Sequence, residues 1–433
     1  MDLHTKIRHF YKNKNYSDLI KLYSPSDTIN FTEWDYFYFI NSLYKINDYD
    51  RCLVVFKDHF HKRFPLSRIV NSTIGWALYK CKLKNFDFLN INNKIFFKQV
   101  NYILEVLTDI NNPNDSLLRW KVIELTIEYL GTEIKVPNVL QLTNQYLNLV
   151  SPDNLSNTSI VVQLGNGRKI ELSPSREIWY SQKSKCLISL GKFAECIEIC
   201  DEALRVLSKF HHNNDCWFKY RKAQSLLSIG YFSESKSIIN NILRTNFKHW
   251  CLFSLLFQIA SKENDKLCAL QNAGLCALCD NSHEMRIAFY TEFGQYLKTI
   301  GEDRLAQLHF QLVSLIKKEK TWKVKKTDIL ATETQILSMT KEDLLNELTS
   351  FWKSVRSAGV KYYSGEIMKL LHDGKAGFVL NHETKQQHYF SIKDLNVNKK
   401  LQQGVFVTFS LTEKLDRKKG VLSLCAIDIT IVE

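Results

Sequence analysis

The chain has 433 residues, 45% of them hydrophobic and 12% aromatic, which is room for two or three domains with a sizeable buried core. Six prolines and fifteen glycines are few for this length and weigh against loop-rich β structure in favour of long helices. Lysines and arginines number 58 against 45 acids, a formal charge of +13 that suits an anionic partner, nucleic acid above all, although lysines spread over helices also make ordinary solvated faces.

The opening Met1-Asp2-Leu3-His4-Thr5-Lys6 is polar and runs into an amphipathic helix, so no secretory signal is expected. The most apolar run, Cys251 to Ala260, is too short to cross a bilayer. Eleven cysteines, most of them inside apolar helical patterns, fit a reducing cytoplasm. The expected location is therefore cytoplasmic, with no membrane partner.

Residues 1–150 predict a helical repeat region. Helix pairs fill Leu3 to about Phe64. Asn15-Tyr16-Ser17-Asp18-Leu19 and Asp48-Tyr49-Asp50-Arg51-Cys52 share one pattern, with the tyrosines 33 residues apart. Lys14 and Asn47 stand where a turn between such helices favours glycine. Ile74 to Leu107 and Leu117 to Leu149 continue as amphipathic helices with a fainter repeat, and Asn112-Pro113-Asn114-Asp115 marks a turn and a helix start. Residues 151–176 change texture. Ser159 to Leu164 and Arg168 to Leu172, around Gly165-Asn166-Gly167, predict a β-hairpin insertion. Either a decorative loop or a binding finger would account for it.

Residues 177–316 carry the clearest repetition. Tyr180, Ser184, Leu187, Gly191, Phe193, Cys196, Cys200, Ala203 and Leu204 form one unit. Gly230, Phe232, Ser235, Ile239 and Leu243 form another, and Tyr290, Phe293, Gly294, Leu297, Gly301, Ala306 and Phe310 a third. Gly230 and Gly301 are 71 apart, which leaves room for an eroded unit around Phe253 to Leu278. These positions resemble tetratricopeptide repeats of about 34 residues, as do Trp34, Tyr36, Phe56 and Phe64-Pro65 in the first region. The resemblance implies an α-solenoid of stacked helix pairs whose concave face holds a protein or peptide. Ser184, Ala223 and Gly294 are the small residues that would let paired helices approach.

Residues 317–358 predict a basic helical linker. Lys317, Lys318, Lys320, Lys323, Lys325 and Lys326 crowd ten positions and can support phosphate binding, though a solvated helix face explains them equally. Thr340-Lys341-Glu342-Asp343 reads as a capping box opening a helix with Leu344, Leu345, Leu348, Phe351 and Trp352. Ser357-Ala358-Gly359 ends it.

From 359 to 433 the period changes to two. About five short strands are predicted in SGEIMKLLHDGKAGFVL, HYFSIKDL, LQQGVFVTFSL and KKGVLSLCAIDI. Gly365-Glu366-Ile367-Met368-Lys369, Gly374-Lys375-Ala376-Gly377-Phe378-Val379, Tyr389-Phe390-Ser391-Ile392, Leu401 to Phe409 and Ala426-Ile427-Asp428-Ile429 resemble, in order and spacing, the strands of a cold-shock domain. The likeness implies an OB-fold barrel binding single-stranded RNA or DNA on an exposed face. Alternation puts Phe378 with Ala376 and Tyr389 with Ser391. Phe378, Tyr389 and Ser391 are then the candidate platform, with Lys369 and Lys375 beside it for phosphates. Lys369, Ala376, Ser391 and Ile392 stand where the family has aromatic rings or histidine, which puts the strength of stacking in doubt.

The sequence holds no P-loop, no G-x-S-x-G and no H-E-x-x-H. Cys276 and Cys279, with Cys268 nearby, lack a second ligand pair and read as repeat core. Catalytic residues, metal ligands and cofactors are therefore none, and the protein is expected not to be an enzyme. The expected fold is mainly α, a repeat solenoid with a small all-β barrel at its end and a hairpin insertion. This domain plan resembles bacterial conflict (TOTE-type, phage-defence) proteins. The resulting expectation is a nucleic-acid-binding adaptor, single-stranded RNA in the barrel and a protein in the solenoid, serving a defence or translation-linked system. The alternative is a pure protein–protein scaffold whose barrel holds no nucleic acid.

Overall fold

Several helices begin where a polar side chain takes up a free amide of the first turn. Asp2 accepts from Thr5 N ahead of Leu3–Lys12, and Thr32 and Asp35 close a capping box at the start of Glu33–Lys45. The expected capping box at Thr340 is present too, with Asp343 as its acid. The computed structural model describes residues 2–22, 30–85, 92–107, 113–132, 138–163, 165, 167–245, 247–280, 282–322, 338–371, 375–392, 402–416 and 420–432. The protein is mainly helical, with a closed five-stranded barrel and a separate two-stranded hairpin, as predicted. It divides into two compact units, Met1–Arg221 and Lys222–Glu433.

One turn recurs in both units. Lys14, Asn47 and Gly191 in the first, and Gly230, Asn264 and Gly301 in the second, hold left-handed backbone with φ between 58° and 92°. The amide that follows each donates to the carbonyl five residues back: Asn15 to Phe10, Asp48 to Leu43 and Lys192 to Leu187, then Tyr231 to Leu226, Asp265 to Ala260 and Glu302 to Leu297, all at 2.9–3.0 Å. That bond stops the helix and reverses the chain. The next helix starts one residue later every time, at Tyr16, Tyr49, Phe193, Phe232, Lys266 and Asp303. The pair Trp250–Lys262 and Lys266–Ala277 thus fills the interval left for an eroded repeat, with Asn264 as its turn residue.

Small side chains then seam the two helices of a pair together. Cys52 donates to Ile40 O, Cys196 to Ser184 O at 3.4 Å and Ser235 to Ala223 O at 2.7 Å, always across twelve residues. Ser184, Ala223 and Gly294 are buried, as the close approach requires. A Cβ on Gly294 would lie 2.8 Å from the Phe310 ring.

The predicted hairpin forms in the first unit. Strand β1 (Ile160–Gln163) pairs antiparallel with β2 (Lys169–Leu172), Ile160 opposite Leu172; Asn166 of its turn lies outside the described residues. Its base is tied to the helices by buried Glu177, whose carboxylate accepts from His211 N, His211 Nδ1 (2.6 Å) and Asn214 Nδ2. The other imidazole nitrogen meets Ser159 Oγ at 3.0 Å and Glu171 of β2 at 3.4 Å. Lys209, then Ser159 and His211, hold the Glu171 carboxyl down to about 2. This is a closed polar network fastening a strand pair that, alone in water, would be marginal.

In the second unit, Lys341–Ser357 is the predicted linker helix. It buries Leu344, Leu348, Trp352 and Val355. Trp352 stacks on Tyr290 (centroids 5.5 Å, planes 6° apart), and its indole N–H donates to His309 Nε2 at 3.0 Å. His309 is fully buried, and that desolvation holds the ring neutral and lowers its pKa to about 4, against the opposite pull of the bond from its other nitrogen to Leu305 O. The barrel follows: β3 (Tyr362–Leu371), β4 (Ala376–Asn381), β5 (Gln387–Ser391), β6 (Phe406–Asp416) and β7 (Val421–Ile431). The order β3-β4-β5-β7-β6 closes through β6 against β3 and is OB-like; only β5 and β7 run parallel. Ile367, Val379, Phe390, Val407, Phe409, Ala426 and Ile429 fill the inside. Arg356 to Asp428 (2.8 Å) and Arg244 to Glu413 (2.9 Å) tie β7 and β6 to the helices of the same unit.

Two measurements probe these features. Lys14→Gly should raise stability by about 0.5–1 kcal/mol, because a left-handed non-glycine residue is strained and the side chain is exposed; urea denaturation reads it as a higher midpoint at unchanged slope. Burial also pushes His283 to about 4, so both histidines bind protons in the unfolded chain before the folded one. Stability is complete above about pH 6.5 and lost as pH falls towards 4. Between pH 7 and 5 the fully buried His309 costs on the order of 2 kcal/mol and the partly exposed His283 less, and His309→Gln should flatten the profile.

Candidate nucleic-acid interface

The outer face of β3, β4 and β5 is set by what must point inward. A Cβ on Gly377 would sit 2.5 Å from Lys369 O and 2.6 Å from the Phe390 ring, and one on Gly365 would sit 2.2 Å from Leu380 O. Only glycine allows the barrel backbone this approach. With Gly377 and Val379 inside, Phe378 and Leu380 face outward. A register shift between Ile367 and Lys369 absorbs Met368 and brings Lys369 opposite Phe378.

Lys369, Phe378 and Tyr389 consequently form one row across three strands, which continues to Cys425 on β7. The Phe378 and Tyr389 rings meet edge to face with centroids 5.9 Å apart. Tyr389 is 40% exposed, Phe378 half-buried and Lys369 exposed. Ser391 lies in the next row opposite Ala376, which is itself buried. Lys375 is exposed at the head of β4, and its carbonyl accepts from Ile392 N at 2.9 Å. The ion pairs to the helices leave from β6 and β7, so this row keeps an open ring and an open amine.

Exposed apolar residues on the barrel extend beyond this row, Ile392 and Phe406 among them, and the sequence singled out only the first. Ile392 is exposed, and Phe406 is 56% exposed with its ring 5.8 Å from His382. Phe406 pairs with Glu366, which pairs with Leu380, so it stands at the far edge of the face. The alternation signal was there, since Val407 and Phe409 inside force Phe406 outside.

The basic cluster is a separate feature. Lys317, Lys318 and Lys320 sit at the C-terminal end of the Asp303–Glu319 helix, not on the barrel. Lys320 is paired with Glu284 at 2.8 Å, which raises its pKa through that hydrogen bond. Lys323, Lys325 and Lys326 lie outside the described residues, as do Gly374 and Leu401 of the strand motifs.

None of the eleven cysteines is in a disulfide. Cys276 is buried in repeat core and its thiol is pushed far up by burial, while Cys279 Sγ donates to Leu275 O. Among the described residues no group of three histidines, cysteines or acids could hold a metal ion, and no helix is long and apolar enough to cross a membrane. No protein-family model matches the sequence, and no match was found among curated proteins.

Because Gly377 holds the row in phase, Gly377→Ala should destabilise the barrel by about 3 kcal/mol through forced overpacking. Hydrogen exchange would show lost protection in β3, β4 and β5 with the helices unchanged.

Proposed function

We propose that the barrel binds single-stranded nucleic acid, RNA in the first instance, and that the helical hairpins act as tetratricopeptide-like repeats receiving a protein partner. The observation that carries this is the Lys369–Phe378–Tyr389 row. It puts a cation, an edge-to-face ring pair and an open phenol within one strand-crossing line on the outside of an OB-like barrel. Planar bases stack on such rings with little sequence preference, and amines beside them meet phosphates. A formal charge of +13 favours the same polyanion. The replacement of aromatic positions by Lys369, Ala376 and Ser391 makes the platform narrow, two rings rather than four or five, and argues for modest affinity. The likeness of domain plan to bacterial conflict proteins supports a role in defence, with the solenoid recruiting an effector. Cysteines outside any disulfide throughout support a reducing compartment.

Fluorescence anisotropy of the full chain with a labelled single-stranded oligonucleotide tests the reading. Phe378→Ala and Tyr389→Ala should each weaken binding about 5- to 150-fold, the equivalent of roughly 1–3 kcal/mol per stacked base, with unchanged melting. Lys375→Ala should lower the log–log salt slope by about 0.7. Unchanged affinity in the Phe378→Ala, Tyr389→Ala double variant would leave the barrel as a protein scaffold.

A further inference from the structure

The first unit carries a second aromatic surface that the barrel reading does not use. On Glu33–Lys45, the residues Trp34, Phe37 and Tyr38 share one face; the Trp34 ring lies 5.3 Å from Phe37 and 6.2 Å from Tyr38. Tyr11 of the preceding hairpin joins them at 4.8 Å from Tyr38, and Tyr16 sits 5.9 Å from Tyr11. Trp34 is 56% exposed and the other four rings are half-buried. A single exposed aromatic is ordinary, but here Trp34 stands over a run of partly exposed rings, of which Tyr11, Phe37 and Tyr38 pack against the core on their inner side.

The charge around them is mixed but mainly positive: Glu33 stands beside Trp34, and Asp18, two residues past Tyr16, is paired with Lys21. Leu3–Lys12 contains no acid. Arg8, one turn before Tyr11, Lys12 beside it and Lys14 in the turn are all exposed, as is Lys45 at the far end of the Trp34 helix. None of these four has an ion-pair partner among the described residues. Cations left uncompensated around planar rings complement a chain of phosphates and bases better than they complement a protein segment.

We propose that this surface is a second seat for single-stranded nucleic acid, stacking bases on Trp34, Phe37 and Tyr38 while Arg8, Lys12 and Lys14 meet phosphates. It stands independently of the barrel face.

Ultraviolet cross-linking of the full chain to a 4-thiouridine-substituted oligouridylate, with mass spectrometry of the joined peptides, tests it. Cross-links are expected within residues 3–49, persisting in the Phe378→Ala, Tyr389→Ala variant. In anisotropy, Trp34→Ala with Tyr38→Ala should weaken binding at least tenfold in that barrel-variant background, Trp34→Phe with Tyr38→Phe should restore it, and Arg8→Glu with Lys12→Glu should shallow the salt slope. Far-UV circular dichroism and melting of each variant separate a lost seat from a lost fold. The proposal is overturned if no cross-link maps to residues 3–49, or if the Trp34→Ala, Tyr38→Ala change leaves affinity untouched in the barrel-variant background. Capture of a protein segment on this surface, undisturbed by excess oligonucleotide, also overturns it. Failure here with loss of binding in the barrel variant leaves the barrel reading standing, and the opposite pattern leaves only this one.

Discussion

The helical hairpins depend on a single hydrogen bond repeated six times. An amide one residue past a left-handed turn reaches a carbonyl five residues earlier, at 2.9–3.0 Å, and fixes both where one helix stops and where the next begins. The apolar stripe of each second helix is thereby phased against the first, so that a small residue (Cys52, Cys196, Ser235, Ala269 or Ala306) falls five positions past the turn in five of the six hairpins, with Leu19 in the first. Side-chain chemistry elsewhere in the repeat is then free to vary. Without that bond the helices would still form, but their faces would not meet in register.

The barrel depends on a different restraint, the absence of a side chain. Gly365 and Gly377 let strand backbones come within a Cβ's width of neighbouring carbonyls and rings. Closure around Ile367, Val379 and Phe390 follows, and so does the outward aim of Phe378 and Tyr389. The exposed row is thus a by-product of packing beneath it, with the shift at Met368 supplying the last adjustment that aligns an amine with two rings.

Much of this was legible in the sequence. Gly191, Gly230 and Gly301 announce their turns, period-two runs announce the barrel strands, and Thr340 with Asp343 announces a helix start. Lys14, Asn47 and Asn264 were harder because a polar residue can be forced into left-handed backbone by the hydrogen bond around it, leaving no glycine to see. The hairpin was visible but its fastening was not: Glu177, His211, Ser159 and Glu171 converge only in three dimensions. Phe406 was readable from alternation and was passed over. The row of Lys369, Phe378 and Tyr389 needed the strand register, which a bulge had displaced by one residue.

Two helices of the first unit contain a widened turn, Phe56–Phe60 and Tyr79–Leu83, in which amides reach carbonyls five residues back, as His61 does to Phe56 and Lys84 to Tyr79. The first lies inside a continuous helix that runs on to Arg63, and the second closes its helix. The widened turn at Phe56–Phe60 houses one surplus residue without rotating the rest of the helix off its neighbours. Removing a single residue from it should therefore shorten the chain while leaving the flanking faces aligned, whereas the same deletion elsewhere along this helix would turn every downstream side chain by about 100°.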